Sequence, residues 1–384
     1  MEERAIFSNF GPVSSTLERN LTTGIFGGTG ESLTVCNATI GLMIAIRHAI
    51  ESRAQAKRRY ALMPSFTFAA VAQAALWNGL TPLFCDIDPT DWSADAASEQ
   101  RLLDKHWKEI AVVIPYATFG YDIDLSRYEK IQLEYGIPVV VDAAASLGTV
   151  SEDGRGFGAG FSGAVVYSMH ATKAFATGEG GLIYSADRQL MRDLRTMSNF
   201  GFGEPRNSTM IGINGKMSEV AALLATLRLE QFDAVMQRRS GLIECYRKAL
   251  PELSFQPARR HRQAHQFTST LLPEKFAAQR SKIQTEMRRR GVDSATYFSP
   301  HVAEQDYFRS RSGQASLPVT DEIAARALTL PLSDAMTDED VEQVAAAVKA
   351  AMAMAKRKAV SAPRVSVGLS SYGRMASTLK QDAG

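Results

Sequence analysis

Between about residues 32 and 200, short apolar runs alternate with stretches of helical periodicity. Runs at 33–36, 60–63, 82–87, 110–114, 138–141, 163–168 and 182–184 have the length of buried strands. Segments at 40–54 and 67–78, the second ended by Gly79, carry the spacing of helices. The alternation predicts a mainly parallel sheet with helices crossing over it, an α/β architecture whose sites gather at the carboxyl ends of the strands. Residues 216–238, rich in Ala and Leu, read as one long helix. Beyond about 240 the texture changes: 259–265 is polar and basic, and 275–290 is helical and highly charged. The expected organisation is a large α/β domain over 1–240, a smaller α+β domain over 241–356 and a flexible tail at 357–384, where Ser, Ala, Lys and Gly show little periodicity.

Bulk properties narrow the function. The chain has 384 residues, 45% hydrophobic and 22% charged, enough for a sizeable core. Its 43 basic and 41 acidic residues leave a net charge of +2, so no global field favours nucleic acid or a membrane surface. Cys36, Cys85 and Cys245 are scattered and odd in number, which suggests a reducing compartment. No apolar signal region opens the chain and no run approaches a membrane span, so the expected location is cytoplasmic. The cysteines show no metal-ligand spacing, nor do His48, His106, His261 and His265, and no metal is expected.

The candidate chemistry centres on Ser-Met-His-Ala-Thr-Lys-Ala-Phe-Ala-Thr-Gly-Glu-Gly-Gly (168–181). Its lysine, Lys173, falls in a turn between two apolar runs. It is either a surface residue of a hairpin loop or a desolvated amine able to lose its proton and attack a carbonyl. Asp142 ends the apolar run at 138–141 and is followed only by small residues. It is either an N-cap or a carboxylate at a strand tip. Together the two residue types match a pyridoxal cofactor, which needs a lysine for its Schiff base and a carboxylate for its pyridine nitrogen. Asn37-Ala38-Thr39, before a helix, suits a phosphate cup or an ordinary N-cap. Ser168 offers a further hydroxyl. Phe68 either stacks on a flat heterocycle or joins the core, and Phe66 reads as core. The glycines at 24–30 match neither nucleotide-loop fingerprint and read as a loop.

Several segments, in order, resemble one family. They are Cys-Asn-Ala-Thr-Ile-Gly-Leu-Met (36–43), Pro-Ser-Phe-Thr-Phe (64–68), Phe-Cys-Asp-Ile-Asp-Pro (84–89), Pro-Val-Val-Val-Asp-Ala-Ala (138–144), the lysine segment, Gly-Ile-Asn-Gly-Lys-Met-Ser-Glu (212–219), Leu-Pro-Val-Thr-Asp-Glu (317–322) and Leu-Pro-Leu-Ser (330–333). The chain is similar to the DegT/DnrJ/EryC1/StrS family of pyridoxal-phosphate-dependent aminotransferases acting on nucleotide-activated keto sugars. The resemblance implies fold type I, with Lys173 as the Schiff-base lysine and Asp142 as the partner of the pyridinium. It makes Phe68 the stacking residue and Ala38, Thr39 and Ser168 phosphate contacts. It also implies a homodimer in which Asn214 reaches the phosphate in the partner subunit. His170 and His301 become candidate substrate contacts, a nucleotide-linked keto deoxysugar the acceptor and L-glutamate the amino donor. Two positions depart from the family pattern: Ala145 stands where Gln or His is usual, and Ser-Asn-Phe-Gly (198–201) where many members carry Asn-His-Gly. Alternatives are a dehydratase or deoxygenase of the same family, against which the retained Lys173 argues, and a non-catalytic cofactor-binding regulator.

Overall fold

In the computed structural model of the protein, which describes residues 10–51, 58–258, 261–311 and 316–360, the apolar runs become seven strands. They are β1 (Glu31–Val35), β2 (Tyr60–Pro64), β3 (Thr81–Cys85), β4 (Ile110–Val113), β5 (Val140–Asp142), β6 (Ala164–Ser168) and β7 (Gly181–Ser185). Two ladders, β3-β2-β4 and β1-β7-β6-β5, meet where β4 and β5 run side by side. Parallel bridges join Val113 to Val139 and Tyr116 to Asp142 there. The order across the sheet is therefore 3-2-4-5-6-7-1. Every strand points the same way except β7, which is antiparallel to both β1 and β6. No helix separates β6 from β7, and residues 169–180 return directly between them.

Successive strand residues feed two cores, as the pleat requires. Leu62, Val113, Val141, Val165 and Leu182 belong to one. Ala61, Met63, Val112, Val140, Val166 and Ile183 belong to the other. Burial on both faces explains why the strands read as continuous apolar runs rather than as alternation. The covering helices are α1 (Pro12–Gly24), α2 (Ala38–Glu51), α3 (Ala69–Trp77), α4 (Ala96–His106), α5 (Leu125–Tyr135), α6 (Arg188–Met197) and α7 (Glu219–Glu230). The first core takes residues from α1, α4, α5 and α7, and the second from α2, α3 and α6. Asp95, Asp124, Asp187 and Ser218 cap α4, α5, α6 and α7 by accepting N–H groups of the first turn. The N-cap of α1, Gly11, has no such side chain. Its orphan donors go instead to the buried carboxylate of Glu219, which accepts from Val13 N at 2.8 Å and Ser14 N at 2.9 Å.

The segment 216–238 is not one helix. It breaks at Gln231, and α8 (Phe232–Ala249) follows. Phe232 and Met236 of α8 pack in the first core, Leu242 and Tyr246 in a third, smaller one. A short ribbon, β8 (Phe202–Gly203) with β9 (Asn207–Ser208), precedes this region. The third core lies beside an antiparallel sheet of β10 (Ser254–Phe255), β11 (Thr268–Leu271) and β12 (Ala327–Leu330), together with α9 (Arg280–Arg289) and the last helix. Two short helices, α10 (Asp306–Arg309) and α11 (Pro318–Arg326), intervene before that helix, α12 (Asp338–Val360). An aromatic cluster joins the two halves: Phe66, Trp92, Tyr116 and Phe119 from the large sheet's side meet Leu271, Phe298 and Ile323. The tail expected over 357–384 begins inside α12, which runs through Val360, and 361–384 lie outside the described residues. Among the described residues no helix is long and apolar enough to cross a membrane.

Candidate active site

A cavity of about 500 Å³ opens at the carboxyl ends of the large sheet's strands. Its size suits a small cofactor with part of a substrate. Each predicted residue that lines it arrives from a strand tip. Ala38 and Thr39 form the first turn of α2, directly after β1, and their N–H groups lie where a helix has no acceptors of its own. Asn37 fixes that turn by accepting Ile40 N at 2.9 Å on Oδ1. Gly181 makes room for it, since a Cβ there would fall 2.7 Å from Ala38 N. Phe68 follows β2 and is 59% exposed in the single chain, whereas Phe66 is fully buried. Asp142 ends β5, Ser168 ends β6, and His170 and Lys173 hang on the return to β7. No helix follows Asp142, so it is not an N-cap.

Electrostatics single out two of these groups. Burial raises the Asp142 carboxyl to about 6, against the lowering pull of the Ala144 N–H and the Lys173 charge. Its Oδ1 accepts Ala144 N at 3.0 Å. Burial lowers the Lys173 amine to about 8, with Asp142 acting to raise it. A buried acid and a half-buried, desolvated amine that each perturb the other, in a cleft, mark candidate reacting groups.

Sequence reasoning missed other lining residues. Tyr116 sits just past β4, bridged to Asp142, and its hydroxyl accepts Phe119 N at 3.3 Å. Burial, with the nearby Asp142 charge, pushes its phenol far up, so it stays neutral. Its place after the run at 110–114 is the same signal that drew attention to Asp142. Gln266 accepts a hydrogen bond from Lys173 Nζ at 2.7 Å on Oε1. Phe298, stacked on Phe119 with centroids 5.2 Å apart, and Tyr297 close the cavity from the second half of the chain. Nothing in spacing or composition marks these three.

Two predicted residues do not line the cavity. His301 is buried, with Nδ1 2.7 Å from the Ser65 hydroxyl and Nε2 2.9 Å from Asp321 Oδ1. Those bonds place it in the packing behind Ser65 rather than on the cavity wall. Asn214 bridges Asn199 and accepts Lys216 Nζ at 2.7 Å, at the chain's own surface. Of the positions that depart from the family pattern, Ala145 is buried, and Phe200 takes a left-handed backbone (φ 58°) with its ring 45% exposed.

A profile of the DegT/DnrJ/EryC1/StrS aminotransferase family matches residues 1–349. The Mycobacterium tuberculosis protein Rv3402c is 32% identical over 350 residues, which span 90% of this chain and 84% of that protein. A Bacillus cereus protein, provisionally described as a PLP-dependent aminotransferase, has a crystal structure matching 91% of this chain and 94% of its own. The TM-score is 0.85 and the identity 37%. DesI, solved in the presence of its TDP-sugar product, matches 93% of this chain and 90% of its own, with a TM-score of 0.80 and 31% identity. The chain belongs to the DegT/DnrJ/EryC1/StrS aminotransferase family, as its motifs suggested. It is a PLP-dependent aminotransferase of fold type I, and its cofactor is pyridoxal phosphate.

Proposed function

We propose that this family member transfers an amino group, donated by L-glutamate, to the keto carbon of a nucleotide-linked deoxysugar. The observation that carries the reading is Lys173 and Asp142 in one cavity, each perturbing the other's charge. The residues fit the cofactor. The α2 turn cradled by Gly181, with Ala38, Thr39 and Ser168, suits its phosphate, and a buried carboxylate suits a protonated ring nitrogen. Bound there, pyridoxal phosphate supplies an aldehyde for amine exchange and an electron sink for the adjacent carbanion. Phe68 supports the ring by stacking. Lys173 Nζ holds the cofactor covalently at rest and, once free, moves a proton to and from the reacting carbon. His170 lies on the same wall and would face the sugar. DesI's product, a TDP-sugar, supports the nucleotide-sugar class.

The reading includes a homodimer. Val220, Leu223, Leu224 and Leu227 form an exposed apolar stripe along α7, at i, i+3, i+4 and i+7, just after Asn214. A second copy covering this stripe would bring Asn214 toward the partner's phosphate cup. The three thiols without disulfides support a cytoplasmic location. The test follows the cofactor's absorbance as nucleotide-linked keto sugars are added to the pyridoxamine-loaded protein, then as L-glutamate is added. Conversion of the pyridoxamine spectrum to that of the aldehyde form with a keto sugar, and recovery of the starting spectrum with glutamate, are expected. A spectrum unmoved by every such sugar but changed by simple 2-keto acids would overturn the sugar assignment.

A further inference from the structure

The Lys173 amine is held at both ends of its loop. Its Nζ donates to Gln266 Oε1 at 2.7 Å, across 93 residues of chain. The amide's orientation is fixed by chemistry: an ammonium only donates, so the oxygen must face Lys173. The amide nitrogen then donates to Thr172 Oγ1 at 3.0 Å, and the Thr172 hydroxyl lies 3.1 Å from His170 Nδ1. Gln266 is itself 6% exposed, so neither end of its amide is offered to bulk water.

The backbones on either side of this contact are tied to one carboxylate. Arg239 donates through Nη1 to His265 O at 2.9 Å and Gln266 O at 3.2 Å, and through Nε to Asp334 Oδ1 at 2.6 Å. Arg228 donates through Nη2 to Ala174 O at 2.9 Å, next to Lys173, and pairs with the other oxygen of Asp334. Asp334 thus reaches the residue after the lysine through one guanidinium and the glutamine's own carbonyl through the other. The approach of the Gln266 segment also needs Gly120. A Cβ on that residue, whose φ is +91°, would fall 1.8 Å from Ala264 O.

We infer that Gln266 is a positioning residue for the Lys173 amine, and that Asp334 fixes the pair in register by gripping both segments through Arg228 and Arg239. The inference rests on the reading of Lys173 as the reactive amine. While that amine is free, the Gln266 carbonyl offers it one acceptor and one direction. It also favours the charged form, as any neutral acceptor does for an ammonium. The other titratable groups lining the cavity with Lys173 are Asp142, Tyr116, His170, Glu179 and Tyr297. Among them Asp142 supplies the charge that acts on the amine.

The test titrates Lys173 by competitive acylation across pH, read by mass spectrometry of the Lys173 peptide, in the full-length chain. It is done without cofactor and with pyridoxamine phosphate, in both of which the amine is free. Gln266→Leu should lower the Lys173 midpoint by about one pH unit, and Gln266→Glu should raise it by about as much or more. The shape-conserving Glu variant keeps the test readable if the Leu variant folds poorly. Asp334→Asn should shift the midpoint in the parent background and add nothing in the Gln266→Leu background, because its action runs through the glutamine. Parental midpoints in both Gln266 variants would overturn the positioning role. Additive shifts would overturn the part assigned to Asp334. The cofactor-free titration reads out even if the chain acts on no nucleotide sugar, so failure of the substrate reading and failure of this inference give different results.

Discussion

Asp142 is buried and Lys173 half-buried in one cavity, and linkage gives their pairing a sign. Burial raises Asp142 from 3.8 to about 6, so the folded chain binds more protons there than the unfolded one between those values, and stability falls as pH rises. Lys173 is lowered from 10.5 to about 8, so over that interval the unfolded chain binds more protons and stability climbs with pH. The pair is therefore most costly between about pH 6 and 8. Replacing both, Asp142→Asn with Lys173→Met, should stabilise the cofactor-free chain at pH 7, by about 1–4 kcal/mol in thermal melts. The part of the gain due to Asp142 should fade below about pH 4, and the part due to Lys173 should persist there and fade only above about pH 10. A double variant no more stable than either single one would refute this. On the reaction itself, Asp142→Asn should lower turnover on the order of 100-fold, the usual cost of losing a charge that stabilises the transition state. Turnover at the parental rate would remove Asp142 from its assigned role. Borohydride should fix the cofactor on Lys173, and peptide mapping to another lysine would move the assignment. Both residues were legible because each follows an apolar run that had to be a strand. Gln266 was not, because its partner lies 93 residues away and glutamine in a polar stretch carries no periodicity.

At the scale of elements, the strand runs were readable because burial on both faces makes them uniformly apolar. Their direction was legible only in part: the turn at Lys173 allowed a hairpin, but β7 looks like its neighbours in sequence and runs against them. The missing helix between β6 and β7 is the physical reason, since a parallel return needs a long crossover and residues 169–180 provide none. The split of 216–238 was hidden for the opposite reason, as Gln231 is a good helix former and the break follows from packing on two cores. The cup at α2 gives an element-scale prediction. Gly181→Ala would press a methyl against Ala38 N, at 2.7 Å, and overpacking of that kind costs about 1–3 kcal/mol. The variant should melt lower and retain less cofactor through gel filtration, while Gly24→Ala, with open space around it and no positive φ, should retain cofactor like the parent. Equal retention by Gly181→Ala would mean that the turn does not hold the phosphate.

For the whole molecule, the apolar stripe on α7 and the place of Asn214 lead to a mixing experiment. In the proposed dimer, Asn214→Asp would set a carboxylate beside the partner's phosphate and weaken cofactor binding by like-charge repulsion. Mixed in equal amounts with Lys173→Ala after dissociation, it should restore about a quarter of parental activity, as random pairing in an isologous dimer gives hybrids with one intact site. No recovery despite verified exchange would mean that Asn214 acts within its own chain or away from the cofactor. The reversed strand β7 has a consequence in time as well as in space. Strand β1 is made before the other strands of the large sheet, yet its ladder partner is β7, with Glu31 opposite Ser185. A ribosome must therefore make most of the large sheet before β1 has anything to pair with, and that late closure carries the loop entropy of a long-range contact. The α2 turn leaves β1 and the lysine return enters β7, so the two walls of the cavity come together in the step that seats β7 between β1 and β6. A nascent chain short of that step has a half-built sheet and no pocket at all.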